Sequence, residues 1–196
     1  NKLIRFETYL SALQYFSYAL AGKPYMGVGR NLAYKKELFF RNKGFSSHSQ
    51  LPGGDDDLFI NKVATKKNTA IVIDPDAFTL SEPKTRWSTW RSQKARHYTT
   101  SKYYKASHKF LLGLFSLSHV LFYPLLVASV LFFNWWITLS VFGLRLLVQG
   151  IIYYRTMNKL DEKDLFWLYP LLDIWQWFYY LLFANTLFKK PRANWK

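Results

Sequence analysis

This chain has no cysteine, which excludes disulfides, thiolate metal sites and a thiol nucleophile. Acidic residues are scarce: 12 Asp and Glu stand against 27 Lys and Arg, a formal net charge of +15. A surface this basic attracts anionic lipid, nucleic acid or phosphorylated substrates, and charge alone does not choose among them. "NKLIRFETYL" lacks the continuous apolar core of a signal peptide. Internal repeats and low-complexity tracts are also missing. Between Phe110 and Leu144 there is no Asp, Glu, Lys or Arg.

What is abundant is aromatic: 8 Trp, 14 Tyr and 17 Phe in 196 residues, a load suited to meeting lipid headgroups. The uncharged run of 110–144 is too long for one helix across a hydrocarbon layer, which needs about 20 residues. Asn134, followed by Trp135 and Trp136, is the natural break, giving spans at about 110–133 and 135–154. Pro124 can kink the first span, and Arg145 lies inside the second, where a charge faces other helices or snorkels. After the polar link "RTMNKLDEKD" comes "LFWLYPLLDIWQWFYYLLFANTLF", 165–188, either a third span or a helix in the interface. Its Asp173 either pairs with Arg145 or stands independently. Lys94, Arg96, Lys102, Lys105 and Lys109 put the start of the first span on the cytoplasmic side, and Arg155, Lys159 and Lys163 return there. A third crossing would leave "KKPRANWK" outside, against that tendency.

Residues 1–105 are soluble in character and hold most of the charge. "FETYLSALQYFSYAL" repeats Phe6, Leu10, Leu13, Phe16 and Leu20 at the spacing of one helix face. "YMGVGRNLAYKK" predicts a strand, "ELFFRNKGF" a short helix closed by Gly44, and "DDDLFINKVATKKN" a helix stopped by Asn68. "TAIVID" predicts a buried strand. Strands interleaved with helices imply part of an α/β layer.

Four pieces carry chemistry, in this order: "GVGRNLAYKKELFFRNKGF", "GGDDDLFINKVA", "SEP" and "WSTWRSQKARH". Together they resemble the second half of the catalytic domain of family 2 glycosyltransferases, inverting sugar transferases associated with membranes. That family has a Gly-rich strand with a basic residue, an acidic motif opening a helix, a Glu-x-Pro-like turn, and Gln-x-x-Arg-Trp before membrane helices. The resemblance implies an α/β fold, the C-terminal half of the A-type glycosyltransferase fold, in 1–105, with transmembrane helices in 106–196.

It also implies roles. Inverting transfer needs a carboxylate within hydrogen-bond reach of the acceptor hydroxyl. Matching "GDD" makes Asp56 that base and Asp55 its neighbour; matching by distance to the next Leu makes Asp55 the base, and Asp56 is favoured. Adjacent carboxylates repel, which raises a pKa and keeps one group poised. Asp57 belongs with the substrate-binding set. Gln93 and Arg96 match Gln-x-x-Arg, with His97 where the family has Trp; 93, 96 and 97 share a helix face. Arg96 would hold the departing nucleotide diphosphate, and Gln93 would bond substrate or backbone. His97 in place of Trp argues against sugar stacking and processive synthesis. Gly29, Arg30 and Asn31, with Gly27, would line the cleft. The implied partners are a nucleotide-sugar donor, a lipid-linked or polysaccharide acceptor and anionic membrane lipid, without nucleic acid. A divalent cation, Mg or Mn, would be bound mainly by residues upstream of Asn1, so this piece is expected to be inactive alone at the cytoplasmic face of the cell membrane.

Blander readings compete. "DDD" in isolation is three solvated acids at a helix start, and "WSTWRSQKARH" is a snorkelling juxtamembrane helix. Asp74 and Asp76 form a literal Asp-x-Asp, but they follow the acidic motif and read as a strand-ending turn. His48 reads as a loop histidine, and His108 and His119 have no ligand spacing. The alternative class is a non-enzymatic, membrane-anchored basic module binding anionic lipid or nucleic acid.

Overall fold

The computed structural model describes residues 2–51 and 53–188. Its elements in chain order are α1 (Lys2–Leu20), α2 (Lys36–Arg41), α3 (Asp57–Val63), α4 (Trp87–Thr100), α5 (Ala106–Phe132), α6 (Trp135–Lys159) and α7 (Tyr169–Ala184). Short 3-10 turns occupy Gly29–Asn31, Pro75–Ala77, Ser101–Tyr103, Lys163–Leu168 and Asn185–Phe188.

Among the described residues there is no β-strand, so the fold is all-helical and the expectation of an α/β layer is wrong. Both expected strands are locally strand-like. Val28, Leu32 and Asp74 have extended dihedrals. A strand, however, exists only when a neighbour exchanges N–H···O=C bonds with it, and no described segment does so here. Val72 and Leu80, 63% and 97% exposed, confirm that this stretch lies on the surface.

The chain divides into two compact units: 1–10 with 111–182, and 11–110 with 183–196.

In the first unit, α5 and α6 form an antiparallel hairpin. Asn134 accepts a hydrogen bond from the Trp136 N–H at 3.0 Å and so caps α6, and the Ser129 and Thr138 hydroxyls meet at 2.7 Å across the turn. Helices of 27 and 25 residues, apolar over most of their length, are long enough to cross a membrane. Phe110, Leu131, Phe132 and Phe133 are among the large apolar side chains left exposed on this unit and its approach. α7 packs on both: the Trp177 indole N–H donates to the Val120 carbonyl at 2.8 Å, and the Tyr169 hydroxyl to that of Leu146 at 2.9 Å. The start of α1 is held against α6 by the Tyr9–Thr156 bond of 2.6 Å and by edge-on contacts of Phe6 and Tyr9 with Tyr153. Arg5 donates to Glu162 at 2.8 Å and to Asp164 at 3.0 Å.

The centre of this unit is Asp173, 1% exposed. Its carboxylate accepts from Tyr123 (2.6 Å), Arg145 (2.8 Å) and Gln149 (3.1 Å), and a His119 ring nitrogen lies 3.2 Å from its backbone oxygen. Arg145 therefore pairs with Asp173, with its guanidinium 4.1 Å from the centre of the Phe122 ring.

The second unit is built around Phe59, fully buried, with Ile60, Val63, Leu32, Leu38, Phe39 and Phe45 packed about it. α2 ends where Gly44, at φ +56°, returns its N–H to the Phe39 carbonyl. Asn68 folds back instead of merely stopping α3: its amide donates to the Val63 carbonyl at 3.0 Å. Asn61 ties three segments together, donating to the Tyr25 carbonyl at 2.8 Å and accepting from the Lys105 N–H at 2.9 Å. Its amide also lies 3.0 Å from His108 Nδ1.

Candidate active site

The acidic motif opens α3, and each of its carboxylates has a different surrounding. Asp55 is exposed, Asp56 half-buried and Asp57 buried. The gradient arises because Gly54, at φ +94°, turns the chain sharply into α3, directing Asp57 towards the core.

Asp56 joins two motifs. One oxygen accepts from the Gly29 N–H at 2.7 Å and the other from the Asp57 N–H at 2.8 Å. The first bond explains the glycine: a Cβ at position 29 would stand 3.2 Å from Asp56 Oδ2. Asn31, two residues on, donates to the Ala77 carbonyl at 2.9 Å. This fastens the Gly-rich segment to the turn at Asp74–Asp76. In that turn Asp74 accepts from the Asp76 N–H at 3.0 Å, a local capping contact. Gly29, Arg30 and Asn31 are exposed.

Asp57 joins the acidic motif to α4. Its Oδ2 accepts from Thr100 Oγ1 and from Tyr104 Oη, both at 2.6 Å, while Oδ1 accepts from the Leu58 N–H at 2.8 Å. Burial pushes its pKa up; the Thr100 and Tyr104 hydrogen bonds pull the other way, and the Asp56 charge adds to the rise. The sequence-based expectation assigned Asp57 to substrate. In the structure it is buried and bonded to Thr100 and Tyr104.

Thr100 sits one turn beyond Arg96 and His97 and two beyond Gln93, on the same face of α4. At 1.5 Å rise per residue, Arg96 lies about 6 Å along the axis from Thr100. The Asp57–Thr100 bond thus ties the C-terminal end of α4 to the first residue of α3. Gln93 is half-buried, and Arg96 and His97 are exposed. Trp90, three residues before Gln93 and seven before His97, lies along the same stripe of α4. Trp90, 3% exposed, meets the Phe183 ring edge-on at 5.6 Å, and Tyr98 stacks on the same ring at 5.6 Å. Trp87 and Trp90 lie 4.6 Å apart. Within this stretch Trp90 and Tyr98 pack on Phe183, while Arg96 and His97 are exposed.

His48 is half-buried near this cluster, its Nδ1 3.1 Å from Ser47 Oγ. Burial lowers its pKa; the charges of Asp57 and Asp55 oppose that, and Lys62 adds to it. Lys62, on α3, reaches Ser47 Oγ at 3.4 Å.

Sequence reasoning did not find Thr100 and Tyr104. Continuing the Gln93–Arg96 face by one turn reaches Thr100; nothing local signals Tyr104, which depends on the turn at Ser101–Tyr103.

Among the described residues no group of three His, Asp or Glu converges to hold a metal ion. Both oxygens of Asp56 and of Asp57 already accept hydrogen bonds, and Asp74 caps its own turn. None of the described residues forms a ligand set for the divalent cation that the resemblance assigns mainly to residues upstream of Asn1. The chain matches no family model, no curated protein and no solved structure.

Proposed function

We propose that this chain contributes the acceptor side of a membrane-bound inverting glycosyltransferase. It would move a sugar from a nucleotide-sugar donor onto a hydroxyl of a lipid-linked or polysaccharide acceptor. The observation that carries the reading is the joining of three separate motifs through one acidic tripeptide: Asp56 bonds Gly29, and Asp57 bonds Thr100 on the Gln/Arg helix.

In this reading Asp56 takes the acceptor proton as the hydroxyl oxygen attacks the anomeric carbon. The bond from that carbon to the donor's diphosphate breaks on the opposite face, inverting the configuration. The nucleotide diphosphate leaves with the electron pair, and Arg96 presents paired N–H donors to its oxygens. Gln93 and His97 bond substrate hydroxyls, Arg30 and Asn31 border the cleft, and Asp55 shapes the field around the base. The two long apolar helices suit a multi-pass protein with this chemistry at the cytoplasmic face, where anionic lipid meets the basic surface.

The test is sugar transfer by the full-length protein in membranes. Asp56→Asn should lower turnover by about 10²–10⁴-fold, the usual worth of a general base, while membrane insertion stays intact. Transfer that survives Asp55→Asn with Asp56→Asn overturns the reading. Anion binding that persists or strengthens in that double variant, with no transfer in the parent, favours a basic lipid- or nucleic-acid-binding module.

A further inference from the structure

A groove runs along the first unit between α6 and the turn Lys163–Leu168. Two hollows form it, of about 340 and 390 Å³, and they share Tyr154 and Phe166. Both are shallow and open on one side. Their linings differ in character. The inner hollow is walled by Leu146, Leu147 and Ile151, with Arg155 at its outer edge. The outer one is walled by Asn158, Lys163 and Trp167. Tyr169 closes the floor: its hydroxyl bonds the Leu146 carbonyl at 2.9 Å, an approach that glycine at 150 permits, since a Cβ there would stand 3.0 Å from that oxygen.

We infer that this groove binds one phosphate-headed membrane lipid, its head on Arg155 and Lys163 and its chain along Leu146, Leu147 and Ile151. The polarity gradient is what such a lipid requires. From Arg155 to Leu146 is nine residues of helix, roughly 13 Å, enough for the first part of a hydrocarbon chain. Leu147, 61% exposed, and Ile151, 52%, leave more than half of their surface uncovered. The cations keep their charge for the ligand because neighbouring acids are occupied: Glu162 and Asp164, which flank Lys163, both bond Arg5. Asp161, exposed on the adjoining turn, is the remaining carboxylate of the 161–164 segment. Basic pockets beside membrane helices are the recurrent way proteins hold anionic headgroups. The inference rests on α5 and α6 lying in a bilayer and is independent of the transferase chemistry.

The experiment reconstitutes the full-length protein in phosphatidylcholine vesicles with a small fraction of photoactivatable phosphatidic acid and maps the cross-linked peptides. Labelling should concentrate in 146–169, be displaced by a long-chain alkyl phosphate, and resist inorganic phosphate. Arg155→Gln with Lys163→Gln should reduce it about fivefold per cation removed, whereas Lys109→Gln should not. Leu147→Trp, at an exposed position, fills the inner hollow without altering charge and should also abolish the focused labelling. Labelling spread evenly over α5 and α6, or unchanged in both groove variants, overturns the inference. Sugar transfer is not read at all, so failure here leaves the transferase reading standing.

Discussion

The Tyr104 hydroxyl donates to Asp57 at 2.6 Å, joining the residue that follows the Ser101–Tyr103 turn to the first residue of α3. Tyr104 is itself buried, and both burial and the Asp57 charge hold its phenol well above the usual range, so it remains the donor. The pair makes the acidic motif and the Gln/Arg helix one mechanical object.

Removing that donor should cost stability. Tyr104→Phe leaves Asp57 with Thr100 as its remaining side-chain partner, at a cost of about 1.5–3 kcal/mol for a hydrogen bond to a charged group. Thermal unfolding followed by intrinsic fluorescence measures it. A Tyr104→Phe protein as stable as the parent at neutral pH would show that the bond carries no weight.

The pH dependence of Asp57 follows from the direction of its shift. Because burial raises its pKa above the unfolded value, the stabilisation belongs to the protonated form. It is complete below the ordinary carboxylate range and lost as pH rises through the raised folded value. Asp57→Asn does not titrate. The stability of the parent relative to Asp57→Asn should therefore fall as pH rises from about 4, the unperturbed carboxylate value, towards neutrality. A flat difference across that window contradicts the shift.

Gly29 is a close-approach glycine whose N–H fixes Asp56. Gly29→Pro removes the donor and should lower sugar transfer about 10²-fold, the effect of a roughly 1 Å displacement of a reacting group, with little change in folding. Gly29→Ala, whose Cβ needs a shift of only a few tenths of an ångström, should do less. Equal activity in all three proteins would separate Asp56 from the chemistry.

Much of this was legible locally, and what was not depends on distant contacts. The 3.6-residue spacing from Phe6 to Leu20 is a property of one segment, and α1 covers it. Asn134 beside two tryptophans signalled a break because capping is local, and it caps α6. "TAIVID" failed because β-branched composition reports extended backbone, which Asp74 has, but not a pairing partner, which none of the described residues supplies. In the site, the face of Gln93 and Arg96 was readable from spacing. That Asp57 turns inward and Asp55 outward was not, since the sequence shows three identical residues and the difference comes from Gly54 and the Thr100–Tyr104 contacts.

The Asp173–Arg145 pair should behave as a buried ion pair. Asp173→Ala leaves Arg145 uncompensated and should cost about 3–5 kcal/mol, while Arg145→Leu with Asp173→Leu should recover most of the loss. Denaturant titration in mixed micelles distinguishes them. Single and double variants of equal stability would mean that the charge pairing is incidental.

The course of α7 bears on whether it crosses the bilayer. Asp173, near its start, bonds Arg145, which is ten residues of helix, about 15 Å, from Trp135 and fourteen, about 21 Å, from Lys159. Tyr179, further on, reaches Glu7 at 3.3 Å, and the neighbouring Tyr9 bonds Thr156 near the Lys159 end of α6. α7 therefore climbs from the middle of α6 back towards Lys159. Its 16 residues span about 24 Å, short of the roughly 20 residues needed to cross. The absence of native cysteine makes the test direct. In sealed vesicles, an impermeant maleimide should label Lys159→Cys and Ala184→Cys from one side and Phe133→Cys from the other. Labelling of Ala184→Cys together with Phe133→Cys would mean that α7 crosses the bilayer.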